Sequence, residues 1–304
     1  MSKLSKLSAI IVNYNAGCVL HEAVNLLLDS ASVAKVIVVD NGSTDRSMEE
    51  MERLAASQAR LICIRNNKNL GFARACNIGI AAAGVNDDLL FLNPDSLVNQ
   101  NAVDRLLVGL KEFPQAGMAG PLLLNADGTE QAGGRRAVPT PWRSFTRAFG
   151  LSKFRKRYPR LFPDFLLHQQ PLPDNAMETK AISGACMLVR RDAMLDVGLL
   201  DEGYFLHCED LDWCMRFRQK GWKIIFVPDA RVMHQKGGCS KNRPVFVEWH
   251  KHKGMMRFYR KYFHHQYPGI LLWIVGLGVW LRFGVMVIFH SILHSKRWLT
   301  HDRL

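Results

Sequence analysis

The sequence predicts an α/β fold: a Rossmann-like, mainly parallel sheet with helices on both faces, followed by a C-terminal hydrophobic helix. The first sign is that apolar runs of strand length alternate with amphipathic stretches of helical spacing. A second is that these runs end in polar loops carrying acids and amides, the pattern of doubly wound sheets, whose ligands lie outside the carboxyl ends of the strands. A third is a long apolar stretch near the C-terminus in which, between Ile270 and Phe289, the only charge is Arg282.

Residues 8–12 form a β-rich run ending at Asn13-Tyr14-Asn15, and 17–28 follow with helical spacing of Val19, Leu20, Ala23, Val24, Leu27 and Leu28. The unit repeats. Residues 35–39 are a strand, Asp40-Asn41-Gly42-Ser43-Thr44-Asp45 a polar loop, and 47–56 a helix. A third strand at 60–64 leads through Asn69-Leu70-Gly71-Phe72-Ala73 into a helix at 74–83. The fourth run, Leu89-Leu90-Phe91-Leu92, stops at Asn93-Pro94-Asp95, because proline cannot donate to a ladder and biases the residue before it towards extended geometry. Asp95 therefore sits on a loop at the ligand-binding edge. A carboxylate there can hold a divalent cation against a diphosphate; read alone, Asn-Pro-Asp is equally a simple turn.

Beyond a helix at 101–112 the alternation weakens. Residues 117–124 read as one or two short strands interrupted by Pro121, and Asp127-Gly128 marks a turn. Residues 135–160 read as a loop-like insert with nine Lys or Arg and no acid, interleaved with Trp142, Phe145, Phe149, Phe154 and Tyr158. Such a segment suits either a phosphorylated or lipid-bound substrate or a solvated basic surface. Residues 182–189 read as one buried strand, in which Gly184 permits close approach of a ligand or a bulge. Glu209, Asp210 and Asp212 crowd the first turn of a helix ending near Gly221, where acids serve as N-terminal caps or as a reactive cluster. Short strands at 222–227 and 230–233 end at His234, before Gly237-Gly238; a histidine there is structural or a metal ligand.

Residues 245–263 form a basic, aromatic amphipathic helix. The stretch 269–292 contains about 20 apolar residues, roughly 30 Å of helix, enough to cross a bilayer core. Arg282 makes spanning costly, so a true span, an interfacial helix and a soluble core helix all stay open. For a span, the Lys/Arg load at 251–261 places the catalytic part in the cytoplasm.

With 48% hydrophobic residues the chain has material for a sizeable core, so disorder is excluded as its ordinary state. The net charge of +13 calls for an anionic partner such as a membrane surface or a phosphorylated substrate; no nucleic-acid module surrounds the basic stretches. The seven cysteines include no Cys-x-x-Cys, which supports neither a disulfide framework nor a structural zinc site and fits a reducing cytosol. The first residues offer no apolar core long enough for a signal peptide.

Taken in order, Asn13-Tyr14-Asn15, the 40–45 loop, Asn69-Leu70-Gly71-Phe72-Ala73 with Asn77 and Gly79, Asn93-Pro94-Asp95, Ser183-Gly184-Ala185, Glu209-Asp210-Leu211-Asp212, Gly221-Trp222 and His234 resemble the family 2 glycosyltransferases of the GT-A fold, particularly the bacterial rhamnosyltransferase-like branch of cell-surface polysaccharide synthesis. The resemblance covers roughly 8–240. It implies an inverting enzyme that uses a divalent metal, Mg²⁺ or Mn²⁺, to take a sugar such as rhamnose from a nucleotide diphosphate sugar to a lipid-linked or polysaccharide acceptor. On that reading Asp40 accepts a hydrogen bond from the base or ribose, and Asn13, Asn15 and Asn41 line the same pocket. Gly71, Phe72 and Arg74 lie near the nucleoside or phosphates, and Asn93 and Gly184 line the donor site. Asp95 matches the second acid of the family's Asp-x-Asp motif and Asn93 replaces the first, so metal binding leans on Asp95, His234 and the diphosphate. Asp210 is the expected base, with Glu209 positioning it or binding the acceptor.

The implied organisation is a catalytic region at 1–240, divided into a nucleotide-sugar half (1–120) and an acceptor half (121–240), followed by membrane-associated helices at 241–304. The expected location is the cytoplasmic face of the plasma membrane, peripheral or single-pass through 269–292. Two other classes compete: a sugar-phosphate nucleotidyltransferase, disfavoured because Asn13-Tyr14-Asn15-Ala16-Gly17 lacks the Lys or Arg of that class's first loop, and a non-catalytic binder of nucleotides or anionic polymers.

Overall fold

The computed structural model describes residues 6–99, 101–235, 243–267 and 269–301, with side chains to residue 292. Its strands are β1 (Leu7–Asn13), β2 (Val33–Asp40), β3 (Leu61–Arg65), β4 (Asp88–Leu92), β5 (Ser96–Val98), β6 (Ala116–Leu124), β7 (Arg135–Arg136), β8 (Met177–Thr179), β9 (Ala181–Ile182), β10 (Cys186–Val189) and β11 (Lys223–His234). The helices are α1 (Val19–Leu28), α2 (Ser47–Ala55), α3 (Phe72–Ala82), α4 (Ala102–Glu112), α5 (Pro141–Ala148), α6 (Arg191–Val197), α7 (Glu209–Gln219), α8 (Pro244–Phe263) and α9 (Ile270–His301).

Two compact units divide the chain. The first comprises Met1–Val138, Leu166–Phe205 and Glu209–Cys239 and holds the main sheet, ordered β3-β2-β1-β4-β10-β6-β11-β5 with β8 also on β11. Strands β3, β2, β1 and β4 run parallel, as do β6 and β11. β10 enters antiparallel between β4 and β6, and β5 and β8 lie antiparallel to β11. The register sets Asn13 opposite Asp40 and Ile11 opposite Leu92, so the polar loops after β1, β2 and β4 leave the sheet along one edge. β1 and most of β2 and β4 are apolar and buried on both faces, as expected of parallel strands under helices.

Three segments of this unit depart from the sequence-based expectation. Pro121 does not interrupt β6, which runs unbroken across it. The missing N–H is tolerated because β10 pairs β6 only at Met118 and Ala119, and the β11 ladder shifts register just after Pro121. The expected strands at 222–227 and 230–233 are one, β11, in which a bulge between Val227 and Arg231 absorbs Pro228-Asp229. The run 182–189 is not one strand: β9 pairs with β7 in a separate two-stranded sheet, and the chain turns at 183–185 before β10 joins the main sheet. Gly237 and Gly238 lie outside the described residues.

The second unit comprises Pro139–Phe165, Leu206–Cys208 and Ser240–Leu304. Its first segment is ordered rather than loop-like: Thr140 caps α5 by accepting the Arg143 N–H at 3.2 Å, Pro141 starts the helix, and a 3₁₀ turn follows at Leu151–Lys156. Trp142 stacks on Phe145 at 5.4 Å, which meets Phe149 at 4.5 Å, and all three are exposed. Helix α9 lies against α8 through Trp249 with Trp280 (5.1 Å) and Phe283 (5.6 Å), and through His252 with Phe283 (5.6 Å). Ile270–Ile292 is a 23-residue stretch of mean hydropathy 2.1, long and apolar enough to cross a membrane. The opposite face of α9, with Trp273, Ile274, Leu277, Leu281, Val285 and Ile288, is exposed.

Candidate active site

The loops after β1 and β2 are cross-linked to one another by side-chain hydrogen bonds. Asn13, fully buried, donates from Nδ2 to Asp40 Oδ1 at 2.9 Å and Ser47 Oγ at 2.9 Å, while the Ser43 N–H donates to Asp40 Oδ2 at 3.2 Å. Asn15, at a φ of 53°, accepts the Thr44 N–H at 2.7 Å and the Asp45 N–H at 3.2 Å. Asn41 donates to Asn69 Oδ1 (3.0 Å) and to the Gly71 carbonyl (3.1 Å) and accepts the Leu70 N–H (3.0 Å), tying the second loop to the third.

Gly71 has a φ of 88°, and a Cβ there would sit 2.7 Å from the Phe205 carbonyl oxygen, so any side chain at this turn strains it. The Phe72 N–H donates to that same oxygen at 2.8 Å. Arg74 points to the surface, where it pairs loosely with Glu202 at 3.6 Å.

At the end of β4, the Asn93 N–H donates to the Ala185 carbonyl at 2.9 Å. Antiparallel pairing of β5 with β11 sets His234 opposite Ser96, beside Asp95, and the Gln235 N–H donates to the Asp95 carbonyl at 2.9 Å. Both side chains are nearly buried, with His234 Nε2 3.3 Å from Asp95 Oδ1 and 3.5 Å from Asn93 Nδ2. Gln131 orients the ring: its Nε2 donates to the carbonyl of His234 (2.9 Å) and to Asn125 Oδ1 (3.1 Å), so its Oε1 accepts at 2.6 Å from His234 Nδ1. Nε2 is therefore the nitrogen turned to Asp95.

These residues fit a divalent cation. Adjacent ligands about 2.1 Å from an octahedral metal stand about 3 Å apart, close to the His234–Asp95 separation. Among the described residues no cluster of three or more His, Cys, Asp or Glu gathers, so a cation held here would take its remaining ligands from phosphate and water, as is usual for Mg²⁺-type sites.

Helix α7 brings the second set of acids. Trp213, wholly buried, meets Phe91 of β4 edge-on at 5.4 Å and fixes the helix on the sheet. Asp212 is absorbed structurally, accepting from Tyr204 Oη (3.2 Å) and Arg216 Nε (2.9 Å). The entry is strained: His207 and Cys208 both adopt positive φ, 68° and 72°. Asp210 Oδ2 accepts from the Gly184 N–H at 3.0 Å and from Arg136 Nη2 at 2.5 Å, and Oδ1 accepts the Leu211 N–H at 2.8 Å. Burial raises the Asp210 carboxyl, but Arg136 and these N–H donors outweigh it and hold the group below its ordinary range. Glu209 goes the other way: burial, then the charge of Asp210, pushes it up to about 8, and its Oε2 has no hydrogen-bond partner among the described residues. The 183–185 turn thus sits between the two acid sets, its Ala185 carbonyl bound to Asn93 and its Gly184 N–H to Asp210.

Residues 8–194 match the family model described as Glycosyl transferase family 2. The chain belongs to that family. It is similar to the N-acetylglucosaminyl-diphospho-decaprenol L-rhamnosyltransferase of Mycobacterium tuberculosis, at 30% identity over 96% of this chain and 95% of the relative. It is also similar to the dTDP-rhamnosyl transferase RfbF of Shigella flexneri, at 24% identity over 84% of this chain and 77% of the relative. The mannosyltransferase PcManGT of Pyrobaculum calidifontis, solved with GDP-Man and Mn²⁺, superposes with a TM-score of 0.59 at 13% identity, covering 98% of this chain and 81% of that one, which places the fold as GT-A.

In this glycosyltransferase Gln131 and Arg136 act on the candidate acids, and neither stood out in the sequence. Gln131 follows a turn and carries no periodic signal; Arg136 is hidden in the basic run 135–160, on a strand of two residues.

Proposed function

We propose that the chain is an inverting transferase that moves a sugar from a nucleoside diphosphate sugar to a lipid-linked or polysaccharide acceptor in cell-surface glycan synthesis. The observation that carries this reading is the 183–185 turn, which joins the Asn93-Pro94-Asp95 end of β4 to Asp210. Residues 1–120 serve the donor and 121–240 the acceptor. Asp40, Asn13, Asn15 and Asn41 hold the nucleoside; Gly71, Phe72, Arg74, Asn93 and Gly184 line the path of the diphosphate and sugar.

Asp95 and His234 would hold a divalent metal, Mg²⁺ or Mn²⁺, whose chemistry is to neutralise charge on the departing diphosphate. Asp210 removes the proton of the acceptor hydroxyl; that oxygen forms the new bond to the anomeric carbon as the carbon–oxygen bond to the diphosphate breaks on the opposite side. Glu209, beside it, shapes the acceptor side.

The second unit suits an anionic membrane surface on the cytoplasmic side. Arginines and lysines flank the exposed Trp142-Phe145-Phe149 stack, and α9 exposes one apolar face while its other lies on the charged α8. Arg282, within Coulombic reach of Glu248, ties the middle of α9 to α8. A bilayer-crossing α9 would draw that charged helix into hydrocarbon, so α9 lies in the interface. Both relatives are named as rhamnosyltransferases, which makes dTDP-rhamnose the first donor to test. Incubation with a panel of nucleotide sugars, Mn²⁺ or Mg²⁺ and a lipid-diphosphate-linked sugar tests the reading. Release of nucleoside diphosphate with a new glycoside supports it; pyrophosphate release or metal-independent polymer binding overturns it.

A further inference from the structure

Asp210 presents a contradiction. The group best placed to take a proton is itself held by three donors, one of them a cation at 2.5 Å. We infer that Arg136 is a positioning residue that keeps Asp210 closed until an anionic group on the acceptor, a phosphate or diphosphate, draws the guanidinium away. This rests on the transferase reading above and adds to it both a substrate class and a control on the base.

The geometry points to a movable clamp. Arg136 also donates from the same Nη2 to the Ile182 carbonyl at 2.6 Å, and its strand β7 is only two residues long, pairing with the two-residue β9 and meeting Leu166 through a bridge at Arg136. Its side chain and that of Asp210 are 14% and 12% exposed, shielded enough for the pair to be strong yet open to a ligand. The Gly184 and Leu211 N–H groups belong to the backbone and stay with Asp210 throughout; Arg136 alone of these donors is a side chain that can turn. Among the described residues, Arg136 on β7 acts on Asp210, and the charge of Asp210 in turn acts on Glu209 and Cys214 of its own helix α7. Burial, then the charge of Asp210, pushes Glu209 up, and burial pushes the Cys214 thiol up to about 12, so both are biased towards their neutral forms. A guanidinium exchanges readily between carboxylate and phosphate because both offer the paired oxygens its fork matches. When it moves to a phosphate, Asp210 loses its strongest stabilising partner and becomes a better base at the moment the acceptor is seated. A neutral acceptor leaves the clamp shut.

The full chain, assayed with two acceptors bearing the same sugar, one on an alkyl diphosphate and one on a plain alkyl chain, tests this. In the unaltered protein the acid limb of kcat falls at higher pH with the diphosphate acceptor than with the neutral one. Arg136→Gln raises KM for the diphosphate acceptor about ten- to a hundredfold, raises kcat a few-fold with the neutral acceptor, and moves the acid limb of kcat/KM upward. Arg136→Lys retains part of the diphosphate preference. An acid limb that is the same for both acceptors in the unaltered protein, or an equal loss on both in Arg136→Gln with that limb unmoved, overturns the inference and leaves Arg136 a strut. Donor-binding calorimetry on each variant confirms the fold. Failure of the unaltered protein to glycosylate either acceptor counts against the transferase reading itself, a result distinct from these.

Discussion

His234 Nε2 and Asp95 Oδ1 face each other at 3.3 Å, and Gln131 sets which nitrogen faces the acid. The pairing of β5 with β11 fixes both backbones, so the site's width is a property of the sheet rather than of a loop. Replacing Gln131 by Leu removes the acceptor for Nδ1 and frees the tautomer. Mn²⁺ affinity, measured by calorimetry in the presence of nucleoside diphosphate, should fall about 10- to 100-fold, with a loss of about 1–3 kcal/mol in stability because the buried His234 groups lose their partners.

The Gly71 turn is held by sterics. Gly71→Ala forces a Cβ to 2.7 Å from the Phe205 carbonyl oxygen at a φ of 88°. Urea unfolding should report a loss of about 1–3 kcal/mol, and donor binding should weaken because Asn41 bonds the Gly71 carbonyl.

Glu209 gives a pH-dependent stability of known sign. Its folded-state pKa is raised, by burial first and then by Asp210, so the folded state keeps a proton that the unfolded chain gives up near the ordinary value of 4.5. Stability from this group is complete below that value and declines as pH rises towards about 8. Glu209→Gln removes the ionisation. Its melting temperature should exceed that of the unaltered protein at pH 7.5 by more than at pH 5.

Much of this was legible in the sequence. Strands β1, β2 and β4 announce themselves because buried parallel strands are unbroken apolar runs, and each ends in a polar loop carrying Asn13, Asp40 or Asp95. The 182–189 run misled for the same reason: both halves are apolar, and composition does not show that 183–185 turns from one sheet to another. Pro228-Asp229 imitates a turn, yet a bulge carries β11 across it. Helix α5 escaped notice because eight residues give little periodicity and its aromatic face points outward; Thr140-Pro141 was the available signal. The Arg136–Asp210 pair joins residues 74 apart in sequence through a two-residue strand, and no local pattern encodes it.

The proposed in-plane placement of α9 predicts that both ends of the chain share one side of the membrane. In a Cys239→Ser background, Leu304→Cys and the exposed Cys18 should react with an impermeant maleimide in spheroplasts only after lysis. Labelling of Leu304→Cys in intact spheroplasts would show that α9 crosses.

The assignment of Asp210 as the base meets its most direct test in Asp210→Asn, assayed for donor binding by calorimetry and for transfer by product formation. The account predicts donor affinity within a few-fold of the unaltered protein and turnover reduced by about 10²–10⁴. Turnover retained in that variant, with Glu209→Gln abolishing it instead, would contradict the account and transfer the role to Glu209.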